Sequence, residues 1–474
     1  MSITQILVLT ALALVLGLLR RGRLYGMLLA SVVLIYWLQP DVDLFGSNRG
    51  FWLASFTLAL AMLGWFLTAA PEVRSWRQNW PAWVTIAGAV LLVDASRYVG
   101  LDQAFGFLTP RLHLALAFLA VLLLIGWTLS RFTSWPDRLI CLAGVGIVLL
   151  FVVIKAPGLM AWLFARAASW LELSTEGGRS AFVWLGFSYL AFRLLHTFRD
   201  RQMGRLLALN LAEYVTYAVF FPAFLAGPID RAERFVQDLR NPQPLDSEGW
   251  LFIGQRFFVG LFKKFVLADA LAFLALNEVF AAQVSKPGWM WLTVYAYAFQ
   301  IYFDFSGYTD VAIALGRLMG VRLPENFAAP YLKPNLTQFW NSWHMTLTQW
   351  FRAYFFNPLT RALRTSRHPL PAPLVIFVTQ LSTMLLIGLW HGIAWNFVLW
   401  GAWHGIGLFL QNRWSEFVRP YAGRWAASGG RQKLLNLLGG ILTFHYVAVG
   451  WVLFVLPVEA VPRVFGILFG IVVK

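Results

Sequence analysis

The chain has 474 residues, 59% of them hydrophobic and 13% charged, with a formal net charge of +16. A soluble domain carries about a quarter charged residues, so the composition excludes a soluble enzyme and indicates a polytopic integral membrane protein, in which the excess bases occupy short cytoplasmic loops near anionic headgroups. No nucleic-acid-binding module is recognisable, and the single cysteine, Cys141, rules out a disulfide framework or a thiolate metal site.

At roughly 20 residues per crossing, an all-α fold of about 11–13 transmembrane or re-entrant helices is expected. The apolar stretch from Ile6 to Leu19 is followed by RRGR at 20–23. A cleavable signal peptide has its positive charge before the apolar core. This order predicts a retained first crossing, its start outside and Arg20, Arg21 and Arg23 on the cytoplasmic side. Apolar runs at 24–39, 51–69, 82–94, 111–129 and 138–155 predict further crossings. Alternation puts Arg74, Arg77, Arg131 and Arg138 in cytoplasmic loops and Asp41, Asp43 and Asp102 outside. The segment 158–173 is short and mixed in character, suited to the interface.

After about residue 180 the character changes, dividing the chain into N-terminal helices (1–180) and a core (181–474) within one integral domain. Polar residues, Gly and Pro now interrupt the apolar stretches, as in FFPAFLAGPIDRAERF (220–235) and YAFQIYFDFSGYTDVAIALGRLMG (297–320). Broken helices at membrane depth survive only where protein or a water-filled cavity covers the freed backbone groups, so function is expected here. No internal repeat is visible, which weakens a secondary-transporter reading. Two basic loops follow, 357–373 with Arg361, Arg364 and Arg367, and 411–433 with Arg413, Arg419, Arg424, Arg431 and Lys433. Both are expected in the cytoplasm, making the stretch between them a hairpin with His391 near its turn.

Two histidines, His344 in FWNSWHMTLTQWFRAYFF (339–356) and His391 in LLIGLWHGIAWNFVLWGAWHGIGLF (385–409), lie in intensely apolar sequence. Histidine exchanges protons near neutral pH, and an ionisable residue at membrane depth is a functional-site hypothesis by default; the bland alternative is a satisfied core imidazole. Trp340, Trp343, His344, Leu347, Phe351 and Tyr354 share a helical stripe, predicting one amphipathic helix. Gly388/Gly392 and Gly401/Gly405 have the spacing of close helix contacts. His404, about 220° from His391 round an unbroken helix, is expected to be structural. Asn396 suits a substrate carbonyl or a helix–helix hydrogen bond. Asp304 and Asp310, six residues apart, do not share a helix face, and an arginine such as Arg317 or Arg352 is their expected partner. No metal-binding pattern, phosphate loop or nucleophile elbow is present.

The segments 299–332, 339–359 and 389–405 resemble the membrane-bound O-acyltransferase family, in particular its bacterial alginate O-acetyltransferase and teichoic-acid D-alanylation branch. The segments 185–200 and 220–235 are similar to further family segments. The chain departs from common family patterns at Asn341, Ser342, Ala353 and His196. The resemblance implies a multi-pass protein of the bacterial cytoplasmic membrane that moves an acetyl group from a cytoplasmic thioester, acetyl-CoA or an acyl carrier protein, to hydroxyls of an extracytoplasmic polysaccharide or envelope polymer. His391 and His344 are then the catalytic pair. His391 takes the hydroxyl proton, and His344 orients the acyl group or stabilises charge at its carbonyl. Substrate contacts are expected from Trp340, Trp343, Asn396, Trp400, Tyr302, Asp304 and Ser306, and donor docking from Arg361, Arg364 and Arg367. No bound cofactor or metal is expected. Partners would be membrane lipid, the donor or its carrier protein, and an extracytoplasmic acetyltransferase- or esterase-like protein. The rival readings are a transporter or channel with a histidine proton relay, and a non-catalytic scaffold in a membrane complex.

Overall fold

The computed structural model describes residues 2–19, 21–39, 49–100, 109–132, 135–170, 183–425 and 429–471. The expectations placed on Arg20, Asp41, Asp43 and Asp102 lie outside the described residues. Among these residues there are helices and connecting turns and no strand. The chain forms two compact units, Met1–Arg256 with Ala312–Leu323, and Phe257–Val311 with Pro324–Lys474.

The first unit opens with α1 (Ile3–Leu18), capped by Ser2 and Gln5, each side chain bonded to the other's backbone N–H. It is followed by α2 (Arg23–Leu38), α3 (Arg49–Thr68), α4 (Trp76–Ala95), α5 (Leu112–Ser130), α6 (Asp137–Lys155) and α7 (Pro157–Trp170). These match the apolar runs within a few residues, except that α4 begins earlier. There Asn79 bonds the carbonyls of Val73 and Ser75, so the polar turn WRQN is drawn into the helix. Next come α8 (Phe187–Gln202), α9 (Leu211–Ala218), α10 (Ala232–Arg240) and the larger part of α11 (Ser247–Phe262). In the segment 220–240 buried acids meet arginines: Asp230 with Arg234 at 2.6 Å, Glu213 with Arg240 at 2.7 Å, and Asp238 with Arg322 at 2.5 Å. His196 is 1% exposed. Its Nδ1 lies 3.0 Å from the Tyr217 hydroxyl, which donates to the Asp230 carbonyl. The Asp230 carbonyl in the irregular GPIDR segment is thus satisfied from within the unit, as apolar surroundings require.

The second unit contains most of α12 (Pro287–Leu318), then the short α13 (Leu336–Trp340), α14 (Met345–Phe351) and α15 (Asn357–Arg364), and the longer α16 (Ala372–His391), α17 (Trp395–Trp425), α18 (Gly429–Val455) and α19 (Val461–Leu468). Six described helices are long and apolar enough to cross a bilayer: Gly50–Thr68, Trp76–Val99, Leu112–Ser130, Asp137–Lys155, Ala372–His391 and Gly430–Val455. The expected basic loop 411–433 is largely helix. At 1.5 Å per residue, the 31 residues of α17 outrun the roughly 30 Å hydrocarbon thickness. The helix therefore continues into a polar stretch that composition alone assigns to a loop.

Candidate functional site

His391 is the last residue of α16, and the chain turns through Gly392 to re-enter helix at Trp395. This is the expected hairpin. Lipid is as apolar as the helix faces it would replace, so close backbone packing must hold such a pair together. A Cβ on Gly401 would lie 2.6 Å from the Met384 carbonyl oxygen, and one on Gly405 would lie 2.9 Å from the Leu381 Cα. A Cβ on Gly388 would strike the Phe397 carbonyl. The hairpin then presents the His391 ring to Trp390, Trp400 and Phe454, at centroid distances of 4.5, 5.6 and 4.8 Å.

The segment 339–356 is not one helix. The chain leaves α13 at Trp340, turns through Asn341–Trp343, and passes through His344 in the left-handed region, with φ 40° and ψ 53°. A non-glycine residue there is uncommon and is held by its surroundings. Here the holding residue is Asn326, fully buried in the preceding VRLPENFAAP segment. Its backbone carbonyl accepts the Met345 N–H at 2.9 Å. Its Oδ1 accepts the Thr346 N–H at 3.1 Å and the Thr346 hydroxyl at 2.9 Å, and lies 3.1 Å from His344 Nδ1. The backbone N–H can only donate, which identifies the Asn326 atom as the amide oxygen. His344 Nδ1 must therefore carry the proton. Buried at 2% exposure, with no carboxylate paired to it among the described residues, the ring is held neutral by desolvation. Its other nitrogen, Nε2, is then a lone-pair acceptor, and it has no partner among the described residues.

His344 and His391 line one cavity of about 40 Å³, whose walls include Phe305, Trp340, Trp343, Ile387, Trp400, Trp451 and Phe454. Its lining contains no carboxylate or amine. Trp390 touches both imidazoles, 6.0 Å from His344 and 4.5 Å from His391 between centroids. A second cavity of about 200 Å³ shares Trp340 and Ile387 with the first. Its remaining wall is more polar and includes Thr337, Asn341, Thr348, Arg352 and Gln380. Thr348 Oγ1 and Gln380 Oε1 are buried there without partners, while Arg352 bonds Asn341 Oδ1 at 2.5 Å. Immediately after Arg352–Phe356, the exposed Arg361 and Arg364 occupy α15, and exposed Arg367 follows in the turn beyond.

Of the residues singled out in the sequence, Trp340, Trp343 and Trp400 join the histidines at the cavity. Tyr302, Asp304, Ser306 and Asn396 are not among its lining. Tyr302 packs on Trp343 at 6.3 Å, one layer behind the wall. Ser306 is buried in α12. Asn396 donates to the Phe454 carbonyl at 3.3 Å, the helix–helix alternative. Lysines pair with both acids: Lys263 meets Asp310 at 2.7 Å, and Lys264 meets Asp304. The lysines begin a π-helical turn, Lys263–Ala268, a wider winding that places neighbouring residues against two acids on α12. His404 is fully buried and outside the cavity lining, against Trp340 and Trp400 at 5.2 and 5.0 Å.

The described helices of this multi-helix membrane protein thus bring two imidazoles to one aromatic-lined chamber. The sequence profile of the membrane-bound O-acyltransferase family matches residues 27–447, and the chain belongs to that family. It is 31% identical over 294 residues to the teichoic acid D-alanyltransferase of Streptococcus thermophilus, covering 60% of this chain and 71% of that protein. It is 34% identical over 294 residues to the probable alginate O-acetylase AlgI of Pseudomonas aeruginosa, covering 60% of this chain and 52% of the relative. With the peptidoglycan O-acetyltransferase of Helicobacter pylori the identity is 33% over 250 residues, covering 52% and 44%. The matched part thus spans about half the length of the latter two relatives. Family membership and the helical spans together make this a multi-pass bacterial membrane protein.

Proposed function

We propose that the protein is an acyltransferase that moves an acetyl group from a thioester to a hydroxyl of a cell-envelope polymer. The observation that carries this is the pair of histidines on one aromatic-lined cavity. The acceptor oxygen attacks the thioester carbonyl while His391 removes its proton. The C–S bond breaks as the tetrahedral intermediate collapses, and the proton passes from the imidazolium to the departing thiolate. General-base help of this kind contributes about 10²–10⁴-fold. His344, with its Nε2 acceptor fixed by Asn326, receives a hydrogen bond from a neighbouring hydroxyl of the polymer and so positions the attacking oxygen, whose own proton goes to His391.

Among the relatives, one is named for D-alanyl transfer and two for acetyl transfer. An ammonium brought into the small cavity would lose water and meet no anion among the lining residues, a substantial cost. That favours an uncharged short acyl group. The larger cavity, with its unpartnered Thr348 and Gln380 oxygens, suits the amide-bearing arm of a thioester. The arginines of α15 and the following turn suit an acidic donor, a coenzyme A or a carrier protein, on the cytoplasmic side.

The test is purified protein with labelled acetyl thioester and an envelope polysaccharide acceptor. Label should move to the polymer with wild-type protein and remain on the donor with His391→Ala of normal folding. Turnover by a well-folded His391→Ala protein would overturn the assignment.

A further inference from the structure

The tetrahedral intermediate of acyl transfer places negative charge on the former carbonyl oxygen, and an enzyme must aim hydrogen-bond donors at it. The two histidines do not provide them in the reactant state: neutral His344 offers an acceptor at Nε2, and His391 must begin unprotonated on its reacting nitrogen. The hydrocarbon side chains of Phe305, Ile387 and Phe454 offer nothing. Trp451 is already committed, its indole N–H donating to the Tyr331 hydroxyl at 3.1 Å.

Of the other wall tryptophans, Trp340 and Trp400 have a buried indole N–H with no acceptor among the described residues. Trp340 is 5% exposed and Trp400 is 1% exposed. A buried tryptophan N–H usually finds a partner, and leaving one unpaired is costly. The two rings meet edge to face at 5.8 Å, and Trp400 lies 5.6 Å from the His391 ring. His404 rests against both indoles but bonds to neither. None of the described residues supplies the missing acceptor.

We infer that Trp340 and Trp400, both on the wall of the His344–His391 cavity and both with an unpartnered indole N–H, donate to the acyl carbonyl oxygen and stabilise the oxyanion. This rests on the acyl-transfer reading above. The bound thioester completes the hydrogen bonding of the two indoles, and the bonds strengthen as charge develops. Because Trp340 also lines the larger cavity, its donor sits at the boundary an arriving thioester must reach.

The experiment replaces the N–H while keeping an aromatic ring: Trp340→Phe and Trp400→Phe, and at each position the isosteric benzothienylalanine, in which sulfur replaces the N–H. Each replacement should lower kcat by about 10²-fold, the loss typical for one such donor, with the donor KM changed less than threefold. A ¹³C-labelled ketone analogue of the acetyl thioester should show a carbonyl stretch at low frequency in the wild type. That band should move up in each variant. Benzothienylalanine proteins with wild-type kcat and an unmoved band would overturn the inference. In that outcome an inactive His391→Ala control would leave the acyl-transfer reading standing, whereas a fully active one would remove both.

Discussion

Asn326→Ala tests how His344 is held. The substitution removes the oxygen that receives the Thr346 N–H at 3.1 Å, the Thr346 hydroxyl at 2.9 Å and the His344 Nδ1–H at 3.1 Å. The hydroxyl can rotate to another acceptor, but the N–H and the ring nitrogen are fixed. At about 1–3 kcal/mol per buried donor left unpaired, the local cost is roughly 2–6 kcal/mol. The left-handed backbone at His344 then loses one of its restraints, although the Met345 N–H still reaches the residue 326 carbonyl. If half the lower figure falls on the positioning of the imidazole, at 1.36 kcal/mol per factor of ten, turnover falls about fivefold; the whole of it gives about thirtyfold. The assays are kcat with acetyl thioester and the melting temperature of the detergent-solubilised protein. The double variant Asn326→Ala/His344→Ala should lose no more activity than His344→Ala alone, since Asn326 acts on chemistry through that ring. Wild-type melting and turnover in Asn326→Ala, or fully additive losses in the double variant, would refute the reasoning.

Gly401→Leu should prevent the α16–α17 hairpin from closing, because even a Cβ there lies 2.6 Å from the Met384 carbonyl oxygen; loss of folded protein in detergent size-exclusion checks this. Replacing Arg361, Arg364 and Arg367 together with Gln should raise the donor KM most at low salt, since exposed charges are screened within about 8 Å at physiological ionic strength, and leave kcat nearly unchanged. Acetyl thioester should be consumed at least tenfold faster than D-alanyl thioester, an expectation of unpaired ammonium burial that a competition assay with both donors would check.

The apolar runs, the hairpin ending at His391 and the close glycine contacts were legible because each depends on local hydrophobicity or spacing. The turn at His344 was not. Trp340, Trp343, Leu347 and Phe351 fit a helical stripe, and nothing in that spacing reveals that residues 341–344 leave the helix to meet a loop nearly twenty positions upstream. Asn326 carries no local signal either: an asparagine after Pro-Glu suggests a turn, while its work here is to accept long-range donors. The acid pairs escaped for a related reason, since a π-helical turn changes which neighbours face α12, and composition cannot show a change of winding. The tryptophans were visible as aromatic mass. Their unpartnered N–H groups required coordinates.

The left-handed backbone at His344 also restricts which sequences can occupy that position. Branched side chains are strongly disfavoured there, whereas glycine and asparagine enter at low cost. Asparagine would keep a short polar group near Asn326 but could not exchange a proton. A single codon change (His to Asn) therefore separates a lineage able to do acid–base chemistry at this position from one with the same fold and a different division of labour. Such a descendant would keep the proton transfer assigned to His391 but lose the ring-nitrogen acceptor that helps to position the substrate.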